Sequence, residues 1–179
     1  LKRSFTQQTL LGFSPDGQYF YTRIPKDELR QYTFEDQKLV GGKAIHHQLQ
    51  HLNAFTFDKD NQYLACAGSG EEGVAIIDVE KGTLIKKLET PGTDTRLNYL
   101  FEAKSIAFSP DGHLLAVCFN TGKVYVFRTG SWNKVFENFL PGNVGVTKGA
   151  YVNFTPDGKK MVVNTVGGLK VYDPNSFEV

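Results

Sequence analysis

"FSPDG" at residues 13–17 is spelled again at 108–112, and "FTPDG" stands at 154–158. Proline at the front of such a stretch fixes φ, aspartate hydrogen-bonds to nearby backbone, and glycine accepts positive φ at no steric cost, so each copy predicts a tight turn. A degenerate fourth copy, "FDKDN" at 57–61, keeps the phenylalanine, and its Asp-Asn supplies much of the same geometry. The turn aspartates Asp16, Asp60, Asp111 and Asp157 are 44, 51 and 46 residues apart, with Phe13, Phe57, Phe108 and Phe154 three positions before each. Spacing of this kind marks a repeat architecture.

Each turn leads into a short β-rich run: "QYFYTRI", "QYLACAG", "HLLAVCF" and "KKMVVNT". A second break precedes "ELRQYTF", "GVAIIDV", "KVYVFRT" and "GLKVYD", and a third break, at "EDQ", "EKG", "GSW" or "PNS", precedes a further strand in most units. Counting the strand that carries the phenylalanine, each unit is an antiparallel meander of four short strands. One such sheet cannot bury both of its faces, so it must stack on others of its kind. A β-sandwich of irregular hairpins explains the strands but not the matched positions of the turns. The predicted fold is therefore all-β: a β-propeller of about four four-stranded antiparallel blades. Residues 1–179 form a single propeller region with approximate blades at 6–42, 51–90, 103–141 and 148–179, and residues 1–5 are a strand that closes the last blade or belongs to a preceding one.

The stretch "DNQYLACAGSGEEGVAIIDVEKGTLIKKLE" and, close behind it, "FSPDGHLLAVCFNTGKVYVFRTGSWNKV" resemble the WD-repeat and YVTN-type β-propeller family, and the likeness runs over nearly the whole chain. Where that pattern ends the third strand with Trp-Asp, this chain has Ile77-Asp78, Phe127-Arg128 and Tyr172-Asp173, and its single tryptophan, Trp132, lies past the position. The usual upstream Gly-His pair is absent, although His47 and His51 fall in the neighbourhood, so the family's side-chain hydrogen-bond tetrad is expected to be incomplete in every blade. The resemblance implies about seven blades, which makes four units an arc of a larger ring. The other reading is a small closed ring completed by the N-terminal strand. The chain starts at Leu1 rather than methionine, which fits a processed or excised piece.

Twenty Lys and Arg against nineteen Asp and Glu leave a formal charge of +1, which argues against a nucleic-acid surface. Pairs such as Lys86-Lys87 and Lys159-Lys160 read as solvated strand ends. No apolar stretch approaches the roughly 18 residues of a membrane helix, so membrane insertion is not expected. Cys66 and Cys118 have neither zinc nor disulfide-scaffold spacing and read as reduced, buried thiols of an intracellular protein, cytoplasmic or nuclear. Their one-position offset in the repeat points them to opposite faces of their own sheets, and stacked sheets could bring those faces together.

The cluster "IHHQLQH" places His47 and His51 four residues apart, on one face if the segment is helical, where two imidazoles suit zinc. Without a further ligand or a general base, His46, His47 and His51 read instead as an inter-blade connection whose histidines hydrogen-bond or face solvent. The four turn aspartates are explained together by bonds to turn amides. No serine elbow, catalytic cysteine signature or phosphate loop is present, so neither a catalytic residue nor a metal or cofactor site is assigned. Two loops stand out. "PGTDTRLNYLFEA" lengthens one interval and carries Arg96, Tyr99, Leu100 and Phe101, residue types enriched at protein contacts but also suited to packing on the adjacent blade. Glu71 and Glu72, like Asp27 and Glu28, lie in hairpin loops, where charge serves either binding or solubility. The expected function is a non-enzymatic interaction scaffold within a multiprotein complex, its partners being other proteins or the remaining blades. The alternative is an enzyme or sensor propeller whose small-molecule or metal site is completed by blades beyond this chain.

Overall fold

The structure, a computed structural model, describes residues 9–24, 28–36, 38–49, 51–69, 73–90, 102–140, 149–165 and 167–179. These residues form strands and turns, with no helix among them. The first sheet contains β1 (Thr9–Phe13), β2 (Tyr19–Ile24), β3 (Glu28–Glu35) and β4 (Lys38–Ile45). The second contains β5 (Ala54–Phe57), β6 (Tyr63–Ala67), β7 (Val74–Asp78) and β8 (Thr83–Leu88), and the third β9 (Ala103–Phe108), β10 (Leu114–Phe119), β11 (Lys123–Arg128) and β12 (Lys134–Phe139). The fourth has three strands among the described residues: β13 (Tyr151–Phe154), β14 (Met161–Thr165) and β15 (Gly168–Tyr172). Every pairing is antiparallel between chain neighbours, as a meander requires.

Strand alternation divides each middle sheet between two cores. In the second sheet Leu64, Cys66, Ala75 and Ile77 pack on Tyr21, Leu29 and Ile45 of the first. Its other face, with Ala65, Ala67, Val74 and Ile76, meets Leu115, Val117, Tyr125 and Phe127 of the third. The third sheet turns Ala116, Cys118, Val124 and Val126 towards Val152, Phe154, Met161, Val163 and Tyr172 of the fourth. Four sheets thus stack in chain order around three apolar junctions.

This order corrects the expectation that the two cysteines could meet. Cys66 faces the first sheet and Cys118 the fourth, while the junction between their own sheets contains neither. Both are buried free thiols, and burial alone pushes Cys66 far up while the Cys118 thiol is pushed up to about 12.

Candidate interaction surface

The repeated turn is built by a side chain that the sequence reading passed over. In the first sheet the Ser14 hydroxyl donates to Asp16 Oδ1 at 2.5 Å and accepts the Tyr19 amide at 3.0 Å, while Asp16 also accepts the Gln18 amide at 3.0 Å. Ser109 and Asp111 repeat this in the third sheet, and Thr155 and Asp157 in the fourth. The Ser14 hydroxyl and then the Gln18 amide hold Asp16 below the usual carboxylate range, and the Thr155 hydroxyl and then the Lys159 amide do the same for Asp157. At Asp111 partial burial pushes upward, but the Ser109 and His113 hydrogen bonds outweigh it and the net shift is downward. In the degenerate second turn Asp58 replaces serine and accepts the Tyr63 amide directly at 2.6 Å, while Asn61 takes the glycine position at φ 55°. Three of the four turn aspartates thus bond turn amides as expected, whereas Asp60 accepts the Lys59 ammonium at 2.9 Å, because Asp58 takes the amide in that turn.

The motif phenylalanine has a fixed direction: it faces the sheet that precedes it in the chain. Phe57 lies 4.6 Å, ring to ring, from Tyr21, Phe108 packs into the second–third junction and Phe154 into the third–fourth. The motif glycine also takes up a neighbour. A Cβ on Gly112 would lie 3.3 Å from the Lys59 side chain of the preceding turn, and one on Gly158 3.9 Å from Pro110.

A second backward contact comes from the break after the third strand. The amides of Gly82, Trp132 and Phe177 each bond the carbonyl four residues earlier at 2.7 Å, and all three residues have positive φ. Trp132 packs edge-on against Tyr63 of the second sheet, ring centroids 5.3 Å apart, and Phe177 stacks on Phe136 of the third at 4.6 Å. Gly82 lies against Lys43 and Ile45 of the first. The signal in the sequence is the shared place of "GSW" and "NSF" after the third strand, beyond the family's Trp-Asp position. At that position Asp78 and Asp173 accept the amides of Lys81 and Asn175 at 2.8 Å, closing their own turns.

Residues 46–49 are irregular rather than helical, so His47 and His51 do not share a helix face. His46 and His51 are exposed; His47 is buried, and its Nδ1 accepts the Leu49 amide at 3.1 Å while Leu49 and Leu52 enter the first–second core. No group of three His, Cys, Asp or Glu side chains able to hold a metal occurs among the described residues.

Arg96, Tyr99, Leu100, Phe101, Glu71 and Glu72 lie outside the described residues, as does Asp27. Their described flanks are adjacent. Ser69, which precedes the glutamate loop, forms an antiparallel bridge with Glu102, which follows the aromatic loop. Around the bridge the Ala103 amide donates to the Gly68 carbonyl at 3.3 Å, Asn53 to the Ser69 hydroxyl at 2.6 Å, and the Glu102 amide to Asn120 Oδ1 at 3.1 Å. Sequence spacing alone gave no sign that these two loops arise from one anchored point.

Large apolar side chains are exposed at the two ends of the stack. On the fourth sheet Leu169 and Val171 are 64% and 37% exposed, with Tyr151 beside them; on the first, Phe13 is 59% exposed beside Leu10. Nothing lies within 4 Å of a Cβ built on Gly17, where the third and fourth sheets receive a neighbouring turn. Among the described residues the four sheets are an open arc.

Residues 102–128, the first three strands of the third sheet, match the family described as "WD domain, G-beta repeat". Over 158 residues the chain is 28% identical to the "U3 small nucleolar RNA-associated protein 18 homolog" of Caenorhabditis elegans, covering 86% of this chain and 33% of that protein. Among solved structures, "Kuenenia stuttgartiensis Hydrazine Synthase" superposes with a TM-score of 0.70 at 20% identity, over 98% of this chain and 48% of that one. The chain thus spans about a third of the curated relative and about half of the solved chain. At 20% identity the structural match shows the fold alone. With a match to the WD-repeat family in its third sheet and stacked meanders on both sides, the chain has the β-propeller fold and carries a WD-type repeat at residues 102–128.

Proposed function

We propose that the chain is a non-enzymatic scaffold in a protein or ribonucleoprotein complex, an arc of a larger WD-type propeller that holds loops in fixed positions for protein partners. The carrying observation is the Ser69–Glu102 bridge, which ties the roots of the two loops singled out by sequence to one rigid point between the second and third sheets. Arg96, Tyr99 and Phe101 are the proposed anchors, with Glu71 and Glu72 at their rim, because aromatic and arginine side chains dominate contact energy while rim charges mainly orient. The described turn carboxylates, already bonded to their own turns, are poor candidates for acid–base chemistry. The relative named as RNA-associated supports membership of such a complex and a nuclear setting; it lends nothing to a cytoplasmic one. The +1 formal charge favours attachment through protein rather than a broad phosphate-binding face.

The test is quantitative co-purification with the native protein carrying R96A, Y99A and F101A together. Loss of specific partners with an unchanged melting temperature is expected, and a smaller loss for E71A with E72A. Full retention of every partner by the triple variant overturns the assignment.

A further inference from the structure

At the end of the second and third sheets from which the two loops arise, polar groups at matching places form a continuous row. In the second sheet Asn53, the residue before β5, donates its side-chain Nδ2 to the hydroxyl of Ser69, shortly past β6, at 2.6 Å. In the third, Glu102, the residue before β9, donates its backbone amide to Oδ1 of Asn120, the residue after β10, at 3.1 Å, and its carbonyl accepts the Asn120 amide at 2.9 Å. The Ser69–Glu102 bridge joins these two sets across the junction. Contact therefore passes from Asn53 through Ser69 and Glu102 to Asn120, that is, from the connection entering the second sheet to the hairpin of the third. By sequence the same places around β13 and β14 hold Ala150 and Val166, which carry no polar side chain, so the row ends at the third sheet.

We infer that Asn53 and Asn120 are positioning residues for the interaction surface: from outside the glutamate loop and the aromatic loop, they hold the roots of both in one fixed relation. A partner then meets two loops already set relative to each other, which lowers the ordering cost of binding. None of the four residues in the row belongs to the three apolar cores, so loss of one bond alters loop geometry with little effect on global unfolding. The inference rests on the reading of these loops as the contact site.

The experiment follows the native protein carrying N53A, N120A or N120D by amide hydrogen exchange, co-purification and melting temperature. The Ala103 amide, which donates to the Gly68 carbonyl across the junction, is the reporter, and N53A is the sharper probe because Asn53 belongs to the other sheet. With N53A or N120A, exchange at Ala103 is expected to quicken roughly fivefold, the change that loss of one ordinary hydrogen bond gives. Partner recovery should fall several-fold while the melting temperature stays nearly constant. Aspartate keeps the oxygen that accepts the Glu102 amide, so N120D should restore both readouts. Unchanged exchange at Ala103 in N53A and N120A overturns the inference. Full partner recovery in N53A and N120A, with loss in the R96A, Y99A and F101A triple variant, overturns it while leaving the contact site in place. Retention of every partner by the triple variant removes the contact site and the positioning role together.

Discussion

Val126 and Val171 occupy the same position in consecutive sheets, yet Val126 is fully buried and Val171 is 37% exposed. Phe154 and Phe13, equivalent residues of the repeated turn, are 7% and 59% exposed. Residue type and strand position are nearly constant in these pairs; what differs is whether another sheet lies alongside. The blade is therefore a unit whose energetics lie in its neighbours, as in repeat proteins whose stability is approximately a sum of unit and nearest-neighbour terms.

The strongest way to break this comparison is to truncate the motif phenylalanine at both kinds of site. Phe154→Ala should cost about 3–5 kcal/mol in denaturant unfolding, because it opens a cavity between two sheets. Phe13→Ala should stay within about 0.5 kcal/mol when measured dilute enough that association contributes nothing. Equal costs would contradict the open end. Next comes Trp132→Ala, expected to lose about 3 kcal/mol through the contact with Tyr63. Trp132→Gly should lose less, by about 1 kcal/mol, since the residue sits at φ 57°.

A finer comparison uses the turn glycine. Gly17→Ala, at φ 70° with open space around it, should cost about 1 kcal/mol for backbone strain alone. Gly112→Ala should cost a few tenths of a kcal/mol more, since Lys59 must move aside. Acid unfolding reads the turns themselves. Asp16, Asp111 and Asp157 have folded pKa values below the unfolded one, so their contribution is present above the unfolded value near 4 and fades as pH falls through the lower folded values. Asp157→Asn should flatten that part of the acid transition, followed by circular dichroism. The smallest effect concerns the thiols: Cys66 and Cys118 should stay unreactive towards a disulfide reagent until the chain unfolds, and Cys66→Ser should not expose Cys118.

The sheets were legible from sequence because the turn chemistry recurs, and four phenylalanines three residues before four aspartates locate four first strands. The backward direction of those phenylalanines was not legible, since alternation tells which residues share a face but not which neighbour that face meets. The same gap left the cysteines' relation open: the offset was read correctly, whereas their separation needed the stacking order. Trp132 and Phe177 were hidden because a residue beyond a strand end carries no periodic signal. For the candidate surface, residue types suggested Arg96, Tyr99 and Phe101, but the bridge that joins two loop roots is a long-range pairing with no local signature.

Because every motif phenylalanine points back to the sheet made before it, the stack has a direction that matches the order of synthesis. As the chain leaves the ribosome, each new meander finds its docking surface already formed, and no sheet must wait for one not yet translated to bury its phenylalanine. The first sheet is the exception: among the described residues no earlier sheet lies beside Phe13, and its ring stays largely exposed.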